Sequence, residues 1–382
     1  MKTVMVVYGT RPEGIKVSPI IKALEESPNL QPLVVSTGQH KEMLAQVNEL
    51  FGITPDIDLD VFEHGQSLNK IAAKIFDRLE PILVEYEPDA LLVQGDTSTV
   101  TIASIAAFYS GIPVIHLEAG LRSHDLFSPF PEEANRKLTS QISTLHFAPT
   151  AQAKENLLRE GVPESAITVT GNTVIDALLH TVSMDLPVTS PKLQRVLTSG
   201  KRILLVTSHR RENLGEPMLK IAHALREIAL RYPDDLIVFP IHRNPKVREI
   251  FTPFLKDRPN VVFLDPLSYP EFAQAMSAAQ IILTDSGGVQ EEAPSLGKPV
   301  LVMRENTERP EAADAGTVLL VGTDTDRIVA EVSKLKDDRN AYAAMASIVN
   351  PYGDGTATAR CIAAIEHLFG LGDRMPEFNP QG

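Results

Sequence analysis

The amino-acid sequence predicts an α/β protein of two Rossmann-like, doubly wound domains facing a cleft. Three observations predict it. Apolar runs rich in β-branched residues alternate with amphipathic helical stretches from one end of the chain to the other. Those runs lack polar alternation, as strands covered by helices on both faces do. The 382 residues also exceed the size at which a single hydrophobic core stops growing.

The elements follow in order. Residues 3–8 form the first strand; the run superficially resembles a signal peptide, but it is too short, and Gly9-Thr10-Arg11-Pro12 stands where a cleavage site would. Further strands are expected at 33–36, 90–93, 114–117, 145–148 and 167–169, with helical segments between them. The pattern restarts at 203–207 and continues at 236–239, 261–264, 281–284, 300–303 and 318–321. Between the two series lies Met184-Asp185-Leu186-Pro187-Val188-Thr189-Ser190-Pro191, whose prolines and small polar residues suit a connection. The expected domains are therefore 1–183 and 192–355. A last helical segment in 356–382, after the turn-rich Asn350-Pro351-Tyr352-Gly353-Asp354-Gly355, is expected to cross back and complete the first domain.

Composition narrows the function. With 36 basic and 49 acidic residues the net charge is −13, which argues against a nucleic-acid or anionic-membrane partner. A phosphate-bearing small ligand stays compatible, because a few arginines and helix N-termini in one cleft outweigh the net charge locally. The single cysteine, Cys361, cannot form an intrachain disulfide, and no Cys/His spacing resembles a zinc site. No metal is expected, and a reducing, cytoplasmic setting fits. No apolar run approaches the roughly 20 residues needed to cross a bilayer.

In open parallel sheets ligands gather beyond the carboxyl ends of the strands. After the first strand, Gly9-Thr10-Arg11-Pro12-Glu13-Gly14-Ile15-Lys16 nearly spells a P-loop, but the lysine comes one position late and Val17 follows it, against a nucleotide triphosphatase. The turn either offers backbone N–H groups, Arg11 and Lys16 to an anion, or is a plain strand–helix turn with two solvated cations. Asp285-Ser286-Gly287-Gly288 is the stronger phosphate candidate: paired glycines admit a diphosphate close to a helix N-terminus, and Ser286 can donate; otherwise it is a tight turn with an N-cap. On the same helix Glu292 either offers two acceptor oxygens to a ribose diol or is a helix-start acid favoured by the dipole. Arg309, beyond strand 300–303, reads equally as an anion contact and as a surface ion pair. A G-x-G-x-x-G followed by an acidic residue is missing, so no nicotinamide cofactor is expected.

The acids of the first domain point to proton transfer. Asp96, Glu118 and Glu132 stand at three separate strand or loop ends, Asp96 in Gly95-Asp96-Thr97 and Glu118 in Glu118-Ala119-Gly120-Leu121-Arg122. Singly, each suits a cap or an ion pair; three together, across a cleft from a phosphate site, favour acid–base work. Arg122 is the expected cationic neighbour of Glu118. His209 and His242 follow strands 203–207 and 236–239 at the same functional edge, or are satisfied structural histidines.

Taken in order, Gly-Thr-Arg-Pro-Glu at 9–13, Gly95-Asp96-Thr97, Glu118-Ala119-Gly120-Leu121-Arg122, Ser128-Pro129-Phe130-Pro131-Glu132-Glu133, Gly171-Asn172-Thr173, His209-Arg210-Arg211-Glu212, Asp285-Ser286-Gly287-Gly288 and Glu308-Arg309-Pro310-Glu311 span almost the whole chain. The chain thereby resembles the bacterial non-hydrolysing UDP-N-acetylglucosamine 2-epimerases. The resemblance implies a glycosyltransferase-B-like fold and a homodimer. It implies reversible conversion of UDP-GlcNAc to UDP-ManNAc for cell-surface polysaccharide synthesis, with UDP eliminated to leave a 2-acetamidoglucal and then added back. No cofactor is implied. Position by position, it makes Asp96, Glu118 and Glu132 catalytic acids with His209 assisting. It makes Arg11, Lys16, Leu267, Phe272, Ser286, Gly287, Gly288, Glu292 and Arg309 substrate contacts, Leu267 through its main chain. Gln39, His40, Gln66, Arg210 and His242 match a region where family members bind a second UDP-GlcNAc as an activator, although Gly65 and Glu42 stand where some regulated members carry arginine and glutamine. A glycosyltransferase, a hydrolysing epimerase and a non-catalytic sugar-nucleotide-binding module are the competing readings; the three strand-end carboxyls argue against the last.

Overall fold

The structure, a computed structural model, describes residues 1–38, 41–63 and 65–380, excepting the side chain of Lys41. The chain forms two compact units, Met1–Ala177 with Tyr352–Pro380, and Leu178–Pro351.

The first unit carries β1 (Lys2–Tyr8), α1 (Arg11–Glu26), β2 (Leu30–Ser36), α2 (Lys41–Phe51), β3 (Ile57–Asp58), α3 (Leu68–Tyr86), β4 (Ala90–Gln94), α4 (Ser98–Tyr109), β5 (Val114–Leu117), α5 (Glu132–Ile142), β6 (Leu145–Ala148), α6 (Ala151–Arg159), β7 (Ile167–Val169) and the start of α7 (Thr173–Ser183). Its seven strands run in the order β3-β2-β1-β4-β5-β6-β7, with every recorded pairing parallel. β1 is fully covered on both faces, Val4 to Val7 being solvent-free, which is why its sequence shows no polar alternation. α4 is lined with small buried residues, Ala103, Ser104 and Ala107 among them, so it packs closely between α3 and α5.

In the second unit, after α8 (Pro191–Leu197), come β8 (Ile203–Thr207), α9 (Glu216–Arg231), β9 (Leu236–Pro240), α10 (Pro245–Leu255), β10 (Val261–Leu264), α11 (Tyr269–Ala278), β11 (Ile281–Thr284), α12 (Gly287–Glu292), β12 (Val300–Val302), α13 (Pro310–Ala315), β13 (Val318–Leu320), α14 (Thr325–Asp337) and α15 (Arg339–Ala346). Its sheet runs β10-β9-β8-β11-β12-β13, again parallel. The core joins inward faces of this sheet to α9, α10 and α14 through Ile221, Leu225, Phe239, Phe251 and Ile328. The chain then returns to the first unit as α16 (Ala357–Leu368).

The doubly wound class is as the sequence predicts. The differences are at ends: β2 begins at Leu30 because Gln31 and Pro32 interrupt its apolar run without leaving the sheet, Pro32 pairing with Val4. β3, with two residues, is too short to register as a pattern. Among the described residues no helix is long and apolar enough to cross a membrane.

Candidate functional site

Each sheet reverses its strand order once, between β1 and β4 in the first unit and between β8 and β11 in the second. Such switch points open a crevice beyond the strand ends, where ligands of this architecture bind. The sequence motifs fall there: residues 9–16 follow β1, Asp96 follows β4 and Glu118 follows the adjacent β5, while His209 and Arg210 follow β8 and Ser286-Gly287-Gly288 follows β11.

In the first unit Glu118 is surrounded by donors. Lys16 Nζ, on α1, lies 2.5 Å from its Oε2; the Nε2 of Gln94, the last residue of β4, donates to the same oxygen; and Asn172 Nδ2 reaches Oε1 at 3.4 Å. Glu118 holds a left-handed backbone, φ 66°, which disfavours a side chain by about 1 kcal/mol and marks a constrained site. Two residues on, a β-carbon on Gly120 (φ 89°) would stand 2.2 Å from the Ala153 carbonyl oxygen, so only glycine lets α6 approach this closely. Arg122 does not neighbour Glu118 as the sequence suggests. Its Nε and Nη2 grip Glu160 at 2.9 and 2.7 Å, and its side chain is fully buried. Lys16, 102 residues upstream, is the cation instead; sequence distance hid it.

Asp96 is held from below and from the side. His116 Nε2 donates to the Gly95 carbonyl at 2.7 Å, Asn135 Nδ2 donates to the Asp96 carbonyl at 2.8 Å, and Arg136 grips the carboxylate through Nε at 2.9 Å and Nη2 at 2.6 Å. Burial pushes the His116 imidazole down to about 3, against the help of that carbonyl. Glu132 opens α5 half-buried, and its Oε2 is buried without a partner among the described residues. Arg11 makes no hydrogen bond or ion pair to a described residue. The turn after β1 is not an open anion cradle, however: the N–H groups of Gly9 and Thr10 both donate to Glu13 Oε2, at 2.7 and 2.9 Å.

In the second unit the buried Asp285 organises the turn after β8. Its carboxylate accepts from Ser208 Oγ, from the N–H groups of His209 and Arg210 at 2.9 and 3.0 Å, and from Asn213 Nδ2. His209 Nδ1 lies 3.3 Å from Asp285 Oδ1. A proton there faces the carboxylate and leaves Nε2 as an acceptor. Burial lowers the affinity of His209 for a second proton, the Asp285 charge opposing and Arg210 adding to the effect. Gly287 and Gly288 open α12, whose first N–H groups have no partner within the helix. A β-carbon on Gly287 would touch Arg210 Nη2 at 3.4 Å and one on Gly288 would touch Glu292 Oε1 at 3.5 Å, so a guanidinium and a carboxylate both border this helix start. Arg309 pairs with the buried Glu291 of α12. Phe272, on α11, and Leu267, just before it, are half-buried. Glu271 ties that segment to the connection by accepting the N–H groups of Thr189 and Ser190.

Of the residues matched to the activator region, Arg210 and His242 stand beside His209; the His242 ring stacks on it with centroids 6.0 Å apart. Gln66 Nε2 donates to Val61 O at 2.8 Å. Gln39 and His40 lie outside the described residues. Sequence reasoning missed Gln94, Arg136 and Asn172 as partners of the acids, although Gln94 and Asn172 occupy strand-end positions, the signal that marks the others.

A family model described as UDP-N-acetylglucosamine 2-epimerase matches residues 22–366. The UDP-N-acetylglucosamine 2-epimerase of Escherichia coli (strain K12) is 52% identical over 371 residues, 95% of this chain and 98% of that protein. A crystal structure of a putative UDP-N-acetylglucosamine 2-epimerase from Listeria monocytogenes superposes with a TM-score of 0.94 at 44% identity, covering 99% of this chain and all of that one. The UDP-GlcNAc 2-epimerase of Neisseria meningitidis, solved bound to UDP-GlcNAc, gives 0.83 at 46% identity over 96% of this chain and all of that one.

Proposed function

The chain belongs to the UDP-N-acetylglucosamine 2-epimerase family, and we propose that it interconverts UDP-GlcNAc and UDP-ManNAc by eliminating UDP and adding it back. The observation that carries this reading is the pair of carboxylates at adjacent strand ends, Asp96 after β4 and Glu118 after β5, each among side-chain donors at one switch point.

The chemistry accounts for such a set. No carbonyl acidifies the C2 hydrogen, so the proton leaves C2 as the C1–O bond breaks, and UDP departs from a 2-acetamidoglucal. Re-addition restores the C1–O bond and delivers a proton to the other face of C2. Two acid–base groups and a stabilised leaving diphosphate are required. Asp96, Glu118 and Glu132 are the proposed acid–base groups, with His209 assisting. Lys16 and Arg11 are proposed to meet the substrate from the first unit. In the second unit, Ser286, Gly287 and Gly288 would take the diphosphate, Glu292 the ribose, Leu267 and Phe272 the uracil, and Arg309 an anionic or sugar group. Downstream use in cell-surface polysaccharide synthesis belongs to the same proposal.

A homodimer and a reducing, cytoplasmic setting are proposed with it. The exposed Val84, Phe108, Tyr109 and Leu138 on α3, α4 and α5 supply apolar surface for a second copy, and Cys361 is a buried thiol. Light scattering at micromolar concentration tests the dimer. Activation by a second UDP-GlcNAc, through Arg210 and His242, is tested by the rate against UDP-GlcNAc concentration; a hyperbolic curve, with UDP-ManNAc converted on its own, counts against it. The main reading is tested by proton NMR of UDP-GlcNAc with the protein in D₂O. UDP-ManNAc carrying deuterium at C2 is the expected product, and an unchanged spectrum alongside tight UDP binding would sink the epimerase assignment.

A further inference from the structure

We propose that Glu13 is a positioning residue that locks the turn after β1 and the Asp96 turn after β4 into one register, acting through the Thr97 hydroxyl. The proposal rests on the reading of Asp96 as an acid–base group.

Glu13 is 2% exposed, and neither of its oxygens faces solvent chemistry. Oε2 accepts the N–H groups of Gly9 and Thr10, and Oε1 accepts Thr97 Oγ1 at 2.5 Å across 84 residues of sequence. The first two bonds have a local explanation, since an acid at the third helical position commonly reaches back to the helix start. The third has none. It joins the two loops that flank the switch point between β1 and β4, and Thr97 is the residue next to Asp96.

The choice of residue fits that task. Two backbone N–H groups and the Thr97 hydroxyl donate to this buried side chain, and a carboxylate accepts at both oxygens; a glutamine could keep the backbone pair on its oxygen only by reversing the bond to Thr97, its amide donating to the hydroxyl. Burial raises the proton affinity of Glu13, and its bonds from Thr97, Gly9 and Thr10 oppose that. The other supports of the Asp96 turn come from elsewhere: His116 of β5 holds Gly95 O, and Asn135 and Arg136 of α5 hold Asp96. Without the Glu13 link the turn stays attached to β5 and α5, and β4 stays paired with β1, but the side-chain tie from the turn to α1, which bears Lys16, the partner of Glu118, is gone.

The test compares wild type, Thr97→Val, Thr97→Ser, Glu13→Gln and the double variant Thr97→Val/Glu13→Gln. Each is assayed for UDP-GlcNAc conversion, and UDP affinity is measured by calorimetry. Thr97→Val should lose kcat by about tenfold or more while its UDP Kd stays within about twofold, because a small misplacement of a catalytic group costs rate before binding. Thr97→Ser should keep the wild-type rate. The double variant should be no more than about twofold slower than the slower single one, as for two residues acting through one bond. A wild-type kcat in Thr97→Val, losses that multiply in the double variant, or a parallel fall in UDP affinity would overturn the proposal. If Glu13→Gln fails to fold, Thr97→Val against Thr97→Ser decides the matter. A wild-type protein that binds UDP but converts nothing refutes the epimerase reading instead, and is seen before any variant is made.

Discussion

Lowering the pH from 7 to 5 should destabilise the first unit through one buried side chain, His116. A carbonyl oxygen only accepts, so the 2.7 Å contact to Gly95 O fixes the imidazole proton on Nε2. Nδ1 then carries a lone pair, buried and without a partner among the described residues. A second proton there would be a buried charge with nothing to receive it, and burial accordingly moves the group from 6.5 to about 3. In the unfolded chain His116 gains a proton as pH falls through 6.5, while in the folded chain it does not until about 3. The unfolded state therefore binds more protons throughout that window, and stability drops as pH drops. At about 1.4 kcal/mol per pH unit, the loss between pH 7 and pH 5 is about 2 kcal/mol. Other groups titrate too, so the informative quantity is a difference. His116→Gln keeps a donor for Gly95 O and cannot ionise. Urea-dependent hydrogen exchange, read by mass spectrometry on peptides covering β4 and β5, gives the free energy of opening for both proteins at each pH. The wild type should lose about 2 kcal/mol more than His116→Gln over this interval. Equal losses, to within about 0.5 kcal/mol, would refute the reasoning.

Three further outcomes follow from single contacts. Gly9→Ala places a β-carbon 1.9 Å from Thr37 Oγ1 and should destabilise the first unit by about 2 kcal/mol in urea unfolding, with Gly9→Ala/Thr37→Ala recovering most of it. Arg309→Lys surrenders the forked guanidinium paired with buried Glu291 and should weaken UDP binding about tenfold by calorimetry, with cooperative unfolding retained. Glu118→Gln should lower kcat about 100-fold or more while UDP Kd changes little; a kcat within about threefold of wild type would remove Glu118 from the acid–base set.

Much of the fold was legible because buried parallel strands announce themselves. Residues 114–117, 145–148, 167–169, 203–207, 261–264 and 281–284 are strands in the structure with those same limits. Each is a short apolar run without polar alternation, the pattern of a strand covered on both faces. β3 escaped because two residues carry no period, and the start of β2 because Gln31 and Pro32 break its apolar run. At the site, strand-end position in the sequence points to Asp96, Glu118, His209 and Ser286. It could not say which cation meets which acid. Arg122, four residues from Glu118, lost that place to Lys16, because the chain after Glu118 turns through the left-handed residues Glu118 and Gly120 and carries Arg122 toward Glu160. Local spacing is a guide within a helix or strand and fails across such a turn.

The structure also sorts the acids in a way that spacing did not. Glu13 accepts the successive N–H groups of Gly9 and Thr10, Glu133 those of Ser123 and His124, Glu271 those of Thr189 and Ser190, and Asp285 those of His209 and Arg210. Four carboxylates thus bracket two consecutive amides, Glu13 at the start of its own helix and the other three in a separate stretch of chain, and backbone amides are less free than side chains to swing away when charge changes. Asp96 and Glu118 are held differently, by the side chains of Arg136, Lys16, Gln94 and Asn172, and Glu132 keeps one buried oxygen without a partner among the described residues. Side chains can change rotamer and re-pair when a carboxyl gains or loses a proton, which suits these acids to the proton transfers proposed for them. Neutralising Glu133 or Glu271 should therefore show as lost stability, and neutralising Asp96 or Glu118 chiefly as lost kcat. Glu13 links the two groups: tied to backbone amides on one oxygen and to the hydroxyl beside Asp96 on the other, it joins the turn after β1 to a group proposed to move protons.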